Sequence, residues 1–141
     1  EAPRYVSWSR QNRSQLVRIP MVKGDNCRME LRSPDPACNP YLAIGLVLAA
    51  GLDGIEHRMV LQPPVNKNLF RPGEAEGLGL EMLPATLEEA VAIAEESDFL
   101  HKVLPEALSR RYFAEERARC EALRAAADPA EYERIHYFNA I

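Results

Sequence analysis

The side chains with the clearest chemical potential lie on one short segment, Arg28-Met29-Glu30-Leu31-Arg32. In an extended strand, residues two apart project from the same face, so Arg28, Glu30 and Arg32 are expected to share one face. Two guanidinium groups flanking one carboxylate can bind an anionic substrate and a metal ion side by side. A solvated strand face with alternating charges is the simpler alternative, because such patterns are common in half-buried strands.

Arginines are concentrated around this segment. Five lie between residues 10 and 32, namely Arg10, Arg13, Arg18, Arg28 and Arg32. Guanidinium groups bind phosphates and carboxylates through paired hydrogen bonds, and oxygen ligands such as the Glu30 carboxylate suit Mg2+ or Mn2+. This composition indicates a phosphate-rich ligand with a divalent metal, and surface salt bridges are the alternative. The sequence contains neither G-x-x-x-x-G-K-[ST] nor G-x-G-x-x-G, so ATP would bind outside those two frameworks.

Short strands are expected to hold these arginines. Alternating residue types predict strands within residues 4–32, at about 5–10, 16–19 and 28–32. The turn at residues 23–26 favours antiparallel pairing of the last two strands. We therefore predict a small antiparallel sheet of about three strands.

The remainder of the chain is predicted to be helical apart from one loop. The apolar run of residues 41–52 follows Asn39 and Pro40, which suit a helix cap and a first helical position. Because the run is apolar all round, it predicts a central, buried helix over residues 40–56. Prolines and glycines predict a loop over residues 60–85, and a capping-box pattern at Thr86 opens predicted helices over residues 86–138. The predicted fold class is α+β.

Length and composition limit the class of protein. A chain of 141 residues that is 47% hydrophobic and 27% charged is typical of a globular domain. The formal net charge of −4 argues against a generic nucleic-acid surface. The apolar run of residues 41–52 is shorter than the ~20 residues of a membrane span. Three cysteines without C-x-x-C spacing indicate a reducing compartment, so a cytoplasmic location is expected. Together with the charge and the short apolar run, this composition predicts neither membrane nor nucleic-acid partners.

Several spaced motifs resemble the glutamine synthetase family, in order along nearly the whole chain. Residues 12–20 resemble the family motif N-R-S-x-x-x-R-I-P, and the arginine-rich segment at 28–32 resembles the next one. Further similar motifs are Asn39-Pro40-Tyr41, Ala50-Gly51-Leu52-Asp53-Gly54 and Asn66-Lys67-Asn68-Leu69-Phe70. The bacterial type I enzyme is the nearest type. The resemblance implies that residues 1–141 are the C-terminal portion of a catalytic domain, with further metal-binding glutamates and a catalytic histidine upstream.

The resemblance implies ATP-dependent ligation of ammonia to L-glutamate through a γ-glutamyl phosphate, with Mg2+ or Mn2+ as cofactor. Arg13 would act as a catalytic residue that contacts the γ-phosphoryl group and the glutamate. Arg18 and Arg28 would bind ATP phosphates together with Arg13. Glu30 would ligate the metal that bridges the phosphates, and Arg32 would bind the glutamate carboxylate.

Two positions depart from the family pattern. The tyrosine that the family adenylylates in a K-N-L-Y motif is Phe70 here, which has no hydroxyl to accept AMP. Adenylylation control at this site is therefore not expected. The turn before Arg28 is about one residue shorter than in the family, so Lys23 is not assigned a nucleotide contact.

The resemblance also implies partners, namely the remainder of the synthetase chain and other copies in a ring, a dodecamer. The 141-residue chain alone is predicted to be inactive, because one carboxylate cannot hold paired metals. Two alternatives are a same-fold ligase that joins glutamate to a polyamine-type amine, and a non-catalytic structural or assembly module. The joint presence of Arg13, Arg18, Glu30 and Arg32 disfavours the module, because a scaffold needs none of them.

Overall fold

A computed structural model of the protein describes residues 2–138. Three short strands precede five α-helices in this part of the chain: β1 (Trp8–Ser9), β2 (Val17–Arg18), β3 (Glu30–Leu31), α1 (Pro40–Glu56), α2 (Leu87–Glu95), α3 (Asp98–Val103), α4 (Glu106–Ala125) and α5 (Pro129–Glu133). A π-helical turn, Arg134–Phe138, follows α5. The chain forms two compact units. One comprises the described residues up to Cys38 together with Gly51–Leu83, and the other comprises Asn39–Ala50 with the described residues from Pro84.

The sheet is mixed, with strand order β1-β2-β3. β2 pairs antiparallel with β3, as the turn at residues 23–26 predicts, and that turn contains the 3-10 turn Gly24–Asn26. The prediction of an antiparallel sheet is wrong for β1, which pairs parallel to β2. Parallel neighbours normally need a long crossover. Here each strand is two residues long, ~7 Å, so residues 10–16 are enough for the chain to return.

The predicted first strand is shorter than expected because its first half pairs elsewhere. Tyr5 forms an isolated antiparallel bridge with Met82. The Val6 N–H donates to the Glu81 carbonyl and the Leu83 N–H donates to the Arg4 carbonyl, both at 2.8 Å. Residues 57–86 otherwise contain no helix or multi-residue strand. The segment before Ser9 is therefore held by the end of this long loop.

Helix α1 starts where the sequence predicts, but its predicted burial is wrong. Asn39 caps the helix, because its Oδ1 accepts the N–H groups of Tyr41 and Leu42 at 3.0 and 3.2 Å. No residue of α1 is buried, and Tyr41 and Ile55 are 87% and 75% exposed. A helix that is apolar all round needs packing partners on every side. Residues 2–138 do not supply them.

The helical region packs around two buried apolar residues. Val91 of α2 and Phe113 of α4 are 6% and 8% exposed. Thr86 caps α2 by accepting the N–H of Glu89 at 3.1 Å, and the Glu89 carboxylate accepts the N–H of Ala85 at 2.8 Å. No helix within residues 2–138 has both the length and the apolar character needed to cross a membrane.

Candidate active site

The central contact of the candidate site is the ion pair between Arg18 on β2 and Glu30 on β3. The antiparallel register places these residues opposite each other, so their side chains lie on one face. Arg18 donates from Nε to Glu30 Oε2 at 2.7 Å and from Nη2 to Oε1 at 2.8 Å. Their side chains are only 20% and 27% exposed. This bidentate geometry fixes both side chains at the base of the site.

Arg28 binds the same carboxylate from the end of the strand. Its Nε donates to Glu30 Oε1 at 3.1 Å, and its Nη1 donates to the Asn26 carbonyl at 3.2 Å. The Arg28 side chain is 49% exposed, more than that of Arg18. We call Arg18, Arg28 and Glu30 the Glu30 cluster. With two guanidinium groups and one carboxylate, this cluster keeps a net positive charge for an anionic ligand.

Arg32 lies next to the Glu30 cluster along the chain but outside its hydrogen bonds. The Arg32 N–H donates to the Leu16 carbonyl at 2.9 Å, which extends the pairing beyond β3. Its Nη1 is buried and has no hydrogen-bond partner among residues 2–138. A buried donor without a partner costs free energy, so this guanidinium is suited to an acceptor from a ligand or from another part of the protein.

Arg13 is presented on the turn that precedes β2. Its side chain is exposed and makes no ion pair or side-chain hydrogen bond within the described part of the chain. Of the five predicted site residues, Arg18 and Arg28 both bind Glu30, whereas the guanidinium groups of Arg13 and Arg32 make no side-chain hydrogen bond within residues 2–138. Lys23 is also exposed, immediately before the 3-10 turn.

The Glu30 carboxylate has the charge state that a metal ligand needs. Hydrogen bonding from Arg18 lowers the pKa of Glu30 below its ordinary value, Arg28 adds to this effect, and desolvation opposes it. The group is therefore ionised at neutral pH. Its donor chemistry fits Mg2+ or Mn2+, but no three His, Cys, Asp or Glu side chains converge on a metal site within residues 2–138. Glu30 fits such a site as one ligand among others.

Sequence reasoning missed the polar side chains that surround Arg13. Ser9, Ser14 and Gln15 are among the most buried residues of the protein, at 0%, 1% and 0% exposure. The residue types on either side of Arg13, Asn12 and Ser14, are ones that close turns through their side chains. That signal predicts a turn at Arg13, but it does not predict burial.

Comparisons with known proteins identify the family. The sequence profile described as "Glutamine synthetase, catalytic domain" matches residues 1–135. The chain belongs to the glutamine synthetase family. The resemblance carried by the spaced motifs is thereby confirmed, and the α+β class agrees with it.

Three relatives, each named glutamine synthetase, illustrate the extent of the similarity. The protein from Methanosarcina mazei is 43% identical over 136 residues, which cover 95% of this chain and 30% of the relative. The protein from Methanocaldococcus jannaschii is 41% identical over 128 residues, covering 89% and 28%. A Staphylococcus aureus protein is 43% identical over 106 residues, covering 74% and 24%. The chain therefore spans less than a third of the length of these glutamine synthetases.

Proposed function

We propose that this chain forms one wall of the active site of a glutamine synthetase that ligates ammonia to L-glutamate through a γ-glutamyl phosphate, using ATP. The observation that carries the proposal is the Glu30 cluster with Arg32 beside it. An ionised carboxylate with two guanidinium groups offers sites for a cation and for anions at once. The Nη1 of Arg32, which has no partner among residues 2–138, adds a donor for a further acceptor.

The proposed roles follow from the charge and accessibility of each side chain. Arg18 and Arg28, with Arg13, bind the ATP phosphates, and Arg32 binds the glutamate carboxylate. Glu30 ligates Mg2+ or Mn2+, which when bound neutralises phosphate charge. Arg18 and Arg28 both hydrogen-bond Glu30, so the guanidinium groups that would bind phosphate lie beside the carboxylate that would hold the metal. Arg13, exposed and without an ion pair among residues 2–138, contacts the γ-phosphoryl group as its charge develops.

The proposal extends to the whole protein. We propose that the remainder of the synthetase chain supplies the other metal ligands, and that copies assemble into a ring-shaped homo-oligomer, a dodecamer, in the cytoplasm. The remainder of the chain is expected to supply several carboxylates, because magnesium and manganese sites need several oxygen ligands. Light scattering of the full-length protein measures the ring directly.

The site is tested by substituting Arg32 in the full-length protein that contains this chain. Arg32→Lys keeps the charge but removes the planar fork, so KM for glutamate should rise roughly 10- to 100-fold, as expected for lost hydrogen bonds to a charged group. KM for ATP should stay unchanged. Glutamine and phosphate are both measured. Arg10→Lys, at an exposed arginine of the same segment that no proposed role involves, is the matched control.

Three results would contradict the proposal. An unchanged KM for glutamate in Arg32→Lys would show that Arg32 does not bind the substrate. Formation of a γ-glutamyl product with a polyamine but not with ammonia would identify the same-fold amine ligase instead. An intact assembly that binds no nucleotide would identify a non-catalytic module.

A further inference from the structure

The turn that carries Arg13 has an unusual interior. The largest fully buried side chains within the described part of the chain are polar, namely Gln15, Ser9 and Ser14. All three lie within residues 9–15, which we call the Arg13 turn. Burying polar side chains costs free energy unless hydrogen bonds replace those to water. The hydrogen bonds of this turn therefore determine whether it has one conformation.

Hydrogen bonds within the turn fix the backbone on both sides of Arg13. The Oδ1 of Asn12 accepts the N–H of Ser14 at 2.9 Å and the hydroxyl of Ser14 at 2.8 Å. This arrangement is an Asx turn, in which the asparagine side chain closes the loop over the next residue. The Oγ of Ser9 accepts the N–H of Asn12 at 2.9 Å. Arg13 is thus the exposed apex of a closed polar turn.

The same side chains tie the turn to a second segment, Lys67 to Leu69. The Lys67 carbonyl accepts Nδ2 of Asn12 at 2.7 Å and Nε2 of Gln15 at 2.9 Å. In return, the N–H of Leu69 donates to Oγ of Ser14 at 2.8 Å. Leu69 itself is buried, at 6% exposure. Burial of Leu69 therefore anchors the 67–69 segment, and the hydrogen bonds of this segment hold the Arg13 turn in place.

The hydrogen bonds that hold Gln15 leave one of its polar atoms unsatisfied. Its Nε2 faces two acceptors, the Lys67 carbonyl and Oγ of Ser14, which sets the orientation of the amide. Its Oε1 is buried and has no donor among residues 2–138. A buried unsatisfied acceptor calls for an explanation. An apolar residue at this position would avoid the cost of that acceptor but would lose the hydrogen bond to the Lys67 carbonyl and the one to Ser14.

We propose that Ser14 and Gln15 are positioning residues for Arg13, and that they act by locking the Arg13 turn onto the 67–69 segment. This inference rests on the proposed function, in which Arg13 contacts the γ-phosphoryl group. An arginine side chain is long and flexible, so its backbone must be fixed if the guanidinium is to meet a developing charge in one place. In this proposal Ser14 and Gln15 act through Arg13 and not through contact with the substrate.

The test is a double-mutant cycle in the full-length protein. Ser14→Ala should lower kcat for glutamine formation about tenfold, the order expected for losing a net hydrogen bond, with KM for ammonia unchanged. In an Arg13→Lys background the same substitution should change kcat less than about twofold, because Ser14 acts through Arg13. Gln15→Met, of similar length without hydrogen-bond donors, should behave in the same way. If Ser14→Ala does not fold, the cycle is measured with Gln15→Met instead.

Ser7→Ala is the matched control, because the Ser7 hydroxyl also donates a hydrogen bond, to the Tyr5 carbonyl at 3.2 Å, but makes none to residues 9–15 within the described part of the chain. Melting temperatures are measured for every variant, and rates are compared well below them. An equal fold-loss in both Arg13 backgrounds would show a purely structural role and overturn the positioning role alone. A wild-type protein without ATP-dependent γ-glutamyl transfer would overturn this inference and the proposed function together.

Discussion

Phe70 stands where the resemblance to the bacterial type I enzyme implies an adenylylated tyrosine. Its ring is 39% exposed, and its N–H donates to Oδ1 of Asn68 at 3.1 Å. The site is therefore reachable but lacks a hydroxyl. We predict that Phe70→Tyr is adenylylated by an adenylyltransferase from a bacterial type I relative and that the wild-type protein is not. Transfer of radiolabel from α-labelled ATP is the measurement.

The wild-type protein also contains the internal control for this prediction. Tyr41 is 87% exposed, so a label on the wild-type protein would show that exposure of a tyrosine is enough for adenylylation. Such labelling would contradict the assignment of position 70. Adding Tyr41→Phe to the Phe70→Tyr variant should leave the labelling unchanged.

At the residue scale, the alternation of residues 28–32 correctly indicated that Arg28 and Glu30 meet. It did not indicate the closest partner of Glu30, which is Arg18 on the neighbouring strand at 2.7 Å. Pairing between strands depends on register, and register cannot be read from alternation within one strand. The burial of Ser14 and Gln15 was equally hidden, because it depends on the 67–69 segment, more than fifty residues away along the chain.

At the element scale, helix α1 shows a different limit. Its bounds follow from local signals, an asparagine cap and a proline at the first position, and such signals are readable from sequence. Burial depends on partners, and residues 2–138 leave α1 without a buried residue. The same holds for β1, whose parallel pairing with β2 depends on the path of residues 10–16. Local chemistry and the antiparallel pairing of β2 with β3 were therefore predictable, whereas the burial of α1 and the pairing of β1 were not.

The exposed side of α1 leads to a prediction for the isolated 141-residue chain. Five large apolar side chains spaced three or four residues apart share one face, and each is at least 61% exposed: Tyr41, Ile44, Leu48, Leu52 and Ile55. Contiguous apolar surface promotes association. We predict that the isolated chain self-associates and that Ile44→Glu with Leu48→Glu reduces this association. Sedimentation over a concentration series and binding of an apolar dye measure the change.

The matched control for this stripe is Arg110→Glu. It lies in α4, is exposed, and changes the net charge by the same −2 as the double variant. Equal loss of association in Arg110→Glu would mean that charge, and not the apolar face of α1, is responsible. Helix content by circular dichroism should be unchanged, because glutamate is a good helix former.

At the scale of the whole molecule, the proposed function makes this site one wall of a larger active site. The chain covers 30% or less of the relatives described above, and it contains one predicted metal-binding carboxylate, Glu30. We predict that the purified 141-residue chain forms no glutamine above background from glutamate, ammonia and ATP with Mg2+ or Mn2+. A single carboxylate cannot complete an oxygen-ligand set.

This last prediction separates a partial site from a complete one. Glutamine and phosphate release are measured in parallel for the isolated chain, for the full-length protein and for its Glu30→Gln variant. The full-length protein should be active and the other two should be inactive. Glutamine formation by the isolated chain that is lost when Glu30→Gln is introduced into the isolated chain as well would show that residues 1–141 hold a complete site. The Glu30 cluster would then have to act without the additional ligands proposed here, and Arg18 and Arg28 would be their nearest replacements in neutralising phosphate charge.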